Sequence, residues 1–460
     1  MNPGSHCTHT SRGVRGAARP WLLVLLVIVA VGAAAWVWLV GGPGPTGFSR
    51  GAKVQLADYH GADPTGVPAA LASESLIKRG EYLTRAADCV VCHTARGGAQ
   101  FAGGFAFTLP FGTIYSTNIT PDTQTGIGSY SDAQFLEAVH RGKRRDGARL
   151  YPAMPYPSYT YMTDADALAI KAYLFSLPPL HAPARPNTLS FPFNQRALMV
   201  LWSMFFNANE RFRPDASQSP AWNRGAYLAE ALAHCGECHT PRNLAFALNE
   251  RRKFAGALTA GWHAYNISAD PGTGIGAWRD EELAAYLREG HAQGRGTASG
   301  PMGEAVDDSF SRLEPADISA LVAYLRSVPA VSSRELPAQL AGPASASHRD
   351  GPQDVLGKQV FEGACASCHG WSGQSPLSSL ATLTGARAVN DPKATNVVQV
   401  ILAGVDRTTP QGALQMPGFG TTYSDTEIAA VANYVTARFG VAGSRLGENE
   451  VAALRRQTQQ

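Results

Sequence analysis

One five-residue pattern is written three times in this chain: Cys89-Val-Val-Cys-His93, Cys235-Gly-Glu-Cys-His239 and Cys365-Ala-Ser-Cys-His369. Cys-x-x-Cys-His is the sequence mark of covalent c-type haem attachment. Two thiols must reach the two vinyl groups on one edge of a porphyrin, and cysteines three apart on a helical turn face the same way. The histidine that follows can turn its imidazole under the iron. One copy could be a redox pair or half a zinc site. Three copies consume six of the seven cysteines, and a structural disulfide needs no adjacent histidine. The motifs therefore assign Cys89, Cys92, Cys235, Cys238, Cys365 and Cys368 to thioethers with three haem c groups. His93, His239 and His369 become the proximal iron ligands.

At 460 residues the chain is long enough for about three domains, one per motif. Its net charge of +3 gives no large field, which excludes a nucleic-acid partner. Residues 1–45 read as a cytoplasmic tail and a transmembrane helix: Trp21 to Val40 carries no charge, and Arg12, Arg15 and Arg19 precede it. A cleaved signal peptide ending near Ala33-Ala34-Ala35 is the rival reading. Both place the haem domains outside the cytoplasm. Cys7, with His6 and His9, belongs to no motif and reads as a free thiol in a tail.

The next sections are two copies of one unit, 73–180 and 219–330. Arg224-Gly-Ala-Tyr-Leu228 matches Arg79-Gly-Glu-Tyr-Leu83, and Asn266-Ile-Ser with Thr273-Gly-Ile-Gly276 matches Asn118-Ile-Thr with Thr125-Gly-Ile-Gly128. Such self-similarity marks a repeated folding unit. In that register Met302 falls where Met154 falls, 63 and 61 residues past their histidines (302 − 239 and 154 − 93). Met154 sits in a Pro-flanked loop, and agreement between copies lifts both above core filler to distal iron ligands. Met162 is the competitor in the first copy. Gly80 is small enough to admit a close helix approach. Ser131-Asp132 and Thr163-Asp164 read as helix caps. Arg96 and Arg242, three residues past their histidines, are candidates to pair a haem propionate. His234, His263 and His291 read as structural.

Between the copies lies a connector, 181–218, with an apolar run from Ala197 to Phe206 that is too short to span a membrane. Packing between haem domains is its expected role, ahead of a membrane surface or a partner. The basic run His140 to Arg145 reads as a solvated loop or a docking patch. Residues 331–352 form an Ala/Ser/Pro linker. The third unit, 353–440, is shorter. Met416, its single methionine, stands in a Pro-Gly loop 47 residues past His369 (416 − 369) and is the distal ligand. Ser424 to Glu427 reads as a capping box. The tail 441–460 is polar and receives no function.

These residues resemble the tri-haem cytochrome c subunits of bacterial membrane-bound periplasmic dehydrogenases, those of alcohol, aldehyde and gluconate among them. The marks are RGEYL with CVVCHTAR, YPAMPY, NRGAYL with HCGECHTPRN, and CASCHG with MPGF. The resemblance implies a mainly α chain of three tandem class I cytochrome c domains behind the anchor, with a His/Met pair at each iron. It implies electron transfer from a dehydrogenase subunit of quinoprotein, flavoprotein or molybdenum type to ubiquinone or a terminal oxidase. It further implies a bacterial inner membrane with the haem domains facing the periplasm. Ala95, where the second copy has Pro241, departs from the pattern. Two other classes compete: a catalytic multi-haem enzyme of peroxidase or thiosulfate dehydrogenase type, and the cytochrome subunit of a terminal oxidase. The first needs an open iron position, against which three candidate methionines speak.

Overall fold

Three helix crossings, each pinned by one glycine, organise the chain. The computed structural model describes residues 18–40, 46–333, 355–409 and 412–458. Helix α1 (Ala18–Val40) precedes the body. The first unit holds α2 (Leu76–Ala86), α3 (Cys89–Cys92), the hairpin β1 (Ala106–Leu109) and β2 (Gly112–Tyr115), α4 (Asp132–Arg141), α5 (Tyr156–Tyr159) and α6 (Asp164–Ser176). The connector contributes α7 (Leu198–Phe206). The second unit holds α8 (Pro220–Tyr227), α9 (Gly236–His239), β3 (Ala257–Thr259) with β4 (Trp262–Ala264), and α10 (Asp280–Glu289). Then follow β5 (His291–Ala292) with β6 (Gly296–Thr297), α11 (Gly300–Asp308) and α12 (Pro315–Ser327). The third holds α13 (Val355–Val360), α14 (Ala366–His369), α15 (Thr395–Ala403), β7 (Val405–Thr409) with β8 (Gly412–Met416), α16 (Asp425–Phe439) and α17 (Glu448–Thr458).

In every unit the helix before the Cys-x-x-Cys-His turn crosses the unit's long later helix. A side chain at Gly80 would collide with the Ala169 carbonyl, one at Gly225 with the Ala320 carbonyl, and one at Gly357 with the Ala430 carbonyl. The next contact is a tyrosine each time: Tyr173, Tyr324 and Tyr434. Glycine is required here because backbone meets backbone, which bears out the expectation for Gly80. The caps also form as the sequence suggests. Ser131 and Ser424 close capping boxes with Gln134 and Glu427, and Thr163 caps α6.

The repeated Asn and Thr-Gly-Ile-Gly segments have a structural task. Asn118 Nδ2 donates to Thr125 Oγ1 at 3.0 Å and to the Leu180 carbonyl at 2.7 Å; Asn266 repeats this with Thr273 at 3.1 Å and the Val331 carbonyl at 2.7 Å. Each asparagine ties the chain leaving the unit's last helix back to the loop.

The first two units share a single hydrophobic core running from Tyr82 to Val328; the third has its own, from Val360 to Val451. Between the first two the contacts are reciprocal. Tyr82 Oη donates to Asp317 at 2.6 Å and accepts from the Glu314 N–H. Tyr227 Oη donates to Asp166 at 2.5 Å and accepts from the Thr163 N–H. The second and third units meet through polar groups. Asn396 bonds both the N–H and the carbonyl of His263; Asp391 accepts from His263 Nδ1 at 2.9 Å, and Arg407 pairs with Asp307.

Several expectations change. The segment from Thr46 to the first unit, left unassigned to any domain by the sequence, lies over the second unit: Phe48 packs on Trp222 and Tyr324, Lys53 pairs with Asp215 at 2.7 Å, and Arg224 donates to the Pro64 and Gly66 carbonyls. The tail is not loose. Helix α17 buries Val451 and sends Arg455 to Asp425 at 2.7 Å, so it packs as part of the third unit. Short hairpins follow the first two motifs, and Met416 ends strand β8 rather than standing in a loop. Cys7, its neighbouring histidines, Arg12, Arg15 and all but the first residues of the linker lie outside the described residues.

Helix α1 is 23 residues long. Its side chains are described over 21–33, where the apolar residues are exposed, and among the described residues no helix is long and apolar enough to cross a membrane. Helix α7 does pack between units. Trp202 Nε1 donates to the Ala245 carbonyl of the second unit, while Tyr156 Oη of the first meets Ser203 Oγ at 3.1 Å. Its other face is exposed, with Met204 at 74% and Leu201 at 55%.

Candidate haem sites

The three Cys-x-x-Cys-His turns are built alike. Helix α2 ends at Ala86, the chain turns through Asp88 at φ 54°, and α3 begins at Cys89. In the second unit α8 runs into a π turn over Leu228–Leu232 and reverses at His234, φ 38°, before Cys235. In the third a π turn over Phe361–Cys365 leads into α14. The His93 and His239 N–H groups bond the Cys89 and Cys235 carbonyls, both at 3.0 Å, so each pair of thiols and its histidine belong to one turn. All six cysteines are free thiols in the polypeptide, with none joined to another. Burial pushes Cys89 and Cys235 up to about 12 and Cys238 and Cys365 up to about 11; Cys92 is raised further. These five thiols are partly buried and Cys368 is exposed, which leaves each pair reachable by the edge of a bound ring.

The histidines carry the most informative geometry. His93 Nδ1 bonds the Thr117 carbonyl at 2.7 Å, His239 Nδ1 the Tyr265 carbonyl at 2.6 Å, and His369 Nδ1 the Ala381 carbonyl at 2.6 Å. A carbonyl only accepts, so Nδ1 carries the proton and Nε2 keeps its lone pair. Burial also lowers all three imidazole pKa values, favouring the neutral ring that a metal requires. One ring nitrogen anchored and the other bare is how a ligating histidine is oriented. The residues therefore fit the group that the motifs imply.

Met154, Met302 and Met416 are partly buried and border the cores of their units. Met154 stands in a turn whose N–H bonds the Tyr151 carbonyl; Met302 lies in the first turn of α11, and Met416 ends β8 opposite Val405. The first two thus share a register but not a backbone conformation. Met162 is 1% exposed in the first core, the environment of a filler. Arg242 pairs with Glu237, donating to its carboxylate at 2.6 Å, while Arg96 is exposed.

The two paired units approach each other at these turns. Tyr159 of α5 donates to the Ala87 carbonyl just before the first motif, and its ring stands edge-on to His234, 5.4 Å between centroids. Ser158 donates to Glu237 inside the second motif at 3.0 Å. In return α11 packs on α3. Asp88 and His234 hold the same place, immediately before the first cysteine of their motifs, and each leaves one polar atom, Asp88 Oδ1 and His234 Nε2, without a hydrogen bond. Sequence reasoning left His234 structural and passed over Tyr159. The available signal was the matched Tyr and Asp of the two copies, which pair across this interface.

Comparison with known proteins fits this geometry. The cytochrome c family model matches residues 77–178 and 355–438. The chain is 40% identical over 419 residues to the fructose dehydrogenase cytochrome subunit of Gluconobacter japonicus, covering 86% of this chain and 85% of that one. Identity to the gluconate 2-dehydrogenase cytochrome c subunit of Pantoea cypripedii is 36%, covering 84% and 90%. Identity to the cytochrome c subunit of the quinone-linked alcohol dehydrogenase of Gluconobacter oxydans is 34%, covering 80% of each.

Proposed function

The chain belongs to the family of dehydrogenase cytochrome c subunits, and from that premise we propose that it is a tri-haem electron-transfer subunit of a bacterial dehydrogenase complex. Haem iron supplies one-electron chemistry when bound. The chain's part is to hold and tune it. Cys89 and Cys92, Cys235 and Cys238, and Cys365 and Cys368 would form the thioethers. His93, His239 and His369 would ligate through Nε2, and Met154, Met302 and Met416 would supply the second ligands. The observation that carries the reading is the anchored Nδ1, found identically at all three histidines. A haemochrome assay on the matured chain should return three haems; two or fewer would refute the count.

The partner in this reading is a dehydrogenase subunit, which takes the substrate's electrons, and the acceptor is ubiquinone or a terminal oxidase. Relatives whose names join them to fructose, gluconate and alcohol dehydrogenases support the partner's class. The outer face of α7 is the docking surface we assign, because Tyr156, two residues past Met154, packs on Trp202 and bonds Ser203 from beneath. A contiguous exposed apolar surface of this kind marks an interaction site. In this reading the uncharged run Trp21 to Val40 is the membrane anchor: as a helix, twenty residues would rise about 30 Å, the thickness of a hydrocarbon core, while the part of α1 whose side chains are described, 21–33, does not by itself meet that length. With the arginines on its amino-terminal side, the haem units face the periplasm. The purified chain should oxidise no alcohol, aldehyde or sugar acid alone, and with its partner should reduce a ubiquinone analogue. Substrate oxidation without the partner would favour the catalytic multi-haem reading.

A further inference from the structure

Arg407 stands on β7, and β7 pairs with β8, which ends at Met416. The side chain does not stay in its own unit. Nε and Nη2 donate to the two carboxylate oxygens of Asp307 at 3.0 and 2.7 Å, and Nη1 donates to the Ala298 carbonyl at 3.0 Å. Asp307 lies on α11, the helix that carries Met302 in its first turn, and Ala298 leads into that helix. Arg407 is 6% exposed, so its guanidinium is shielded from water, while the Asp307 side chain is 26% exposed. Its guanidinium occupies the space that a side chain at Gly290 would need, and its stem passes Gly303, the residue after Met302.

The first unit solves the same packing problem from within. Gly142 is the repeat of Gly290, and the ring over Gly142 is that of Tyr156, two residues past Met154. The second unit has Glu304 in that register. What the first unit supplies for its own methionine loop, the third unit supplies for the second.

The proximal sides are joined across the same interface. The Tyr265 carbonyl holds His239, and the Tyr265 hydroxyl donates to Asp391 of the third unit at 3.3 Å. Thr297 of the second unit donates to the Leu380 carbonyl, next to the Ala381 carbonyl that holds His369.

We propose that Arg407 is a positioning residue for two haem sites at once, fixing the Met302 helix and the Met416 hairpin against each other. A bidentate guanidinium–carboxylate pair sets orientation as well as distance. Groups behind a ligand decide how well that ligand is presented. The proposal rests on Met302 and Met416 being axial ligands, and its test separates the two ideas.

The test uses the full chain with its haems attached. The readouts are the ferric methionine–iron charge-transfer band and carbon monoxide uptake by the reduced protein. Met302→Ala and Met416→Ala should each remove about one third of the band, one haem's share. If neither does, the ligand assignment falls and the proposal with it. Given that loss, Arg407→Gln and Asp307→Asn should each weaken the band and open an iron to carbon monoxide while three haems remain bound. The double variant should be no worse than either single. Arg407→Lys, which keeps the charge but not the fork, should behave like Arg407→Gln. Should Arg407→Gln mature with fewer haems, Asp307→Asn, on the more exposed side of the pair, decides. Wild-type band and carbon monoxide behaviour in Asp307→Asn, with the methionine variants responding, would overturn the proposal.

Discussion

The hydroxyl of Tyr82 in the first unit ends on the carboxylate of Asp317 in the second, 2.6 Å away, and Asp317 also takes both arms of Arg224, at 2.8 and 2.7 Å. The mirror contact, Tyr227 to Asp166, closes the other end of the interface. Tyr82→Phe or Tyr227→Phe leaves a buried carboxylate short of one donor. Each should cost about 1–3 kcal/mol, read as an earlier midpoint in denaturant. If either were neutral, the reciprocal pairs would not be what joins the units.

Met154 and Met162 separate ligand from filler within one unit. Met154→Ala should lower one haem potential and let that iron bind carbon monoxide. Met162→Ala should leave the potentials in place and destabilise the fold by about 2–5 kcal/mol through the cavity it opens. The reverse pattern would exchange their roles.

His140 provides a pH signature. It is 1% exposed, neither ring nitrogen has a hydrogen bond, and burial, followed by the nearby Arg211, brings its pKa down from 6.5 to about 4; Asp164 and Glu137 oppose the shift. A base whose folded pKa is depressed resists charging. Its contribution is therefore present above the unfolded value of 6.5 and is lost as pH falls toward 4, by about 1.4 kcal/mol per pH unit. His140→Phe should flatten the stability profile over that window. An unchanged slope would place the acid sensitivity elsewhere.

The exposed face of α7 invites a direct assay. Leu201→Glu and Met204→Glu alter side chains 55% and 74% exposed, so stability should move by less than about 0.5 kcal/mol. Reduction by the partner dehydrogenase should slow, with the three haem potentials unchanged. Full-rate reduction would remove α7 from the docking surface.

The anchor is checked by mass spectrometry of the mature amino terminus. A retained segment from the first residues is the expected result, and a start at Trp36 would show a cleaved signal.

Much of this architecture could be read before the fold was known, because the informative features are local. A Cys-x-x-Cys-His turn, a Ser or Thr cap and the repeated Asn and Thr-Gly-Ile-Gly segments each involve residues close in the chain. The crossing at Gly80 was readable from size alone. The interfaces were not. Arg407 and Asp307 are 100 residues apart, and no periodicity marks an arginine on a short strand as the partner of another unit's helix. The packing of the tail was hidden for a related reason. Its composition is polar, but Val451 and Leu454 recur at helical spacing and meet a core that only the folded third unit provides. Met416 was singled out by being alone in its unit, whereas the strand that ends with it depends on pairing with β7.

The single core shared by the first two units also bears on the order of events during folding. The chain is delivered from its amino terminus, and domains close as they emerge. Here closure of the first must wait: Tyr227 and Asp317, which complete its surface, follow their partners Asp166 and Tyr82 by 61 and 235 residues. Both early Cys-x-x-Cys-His turns therefore stay unsealed until the chain through Val328 is present, and the two sites share one time window for modification. The third turn, with its own core, has a later window of its own. A chain stalled before Val328 should carry its haems on an unsealed surface, open to proteolysis.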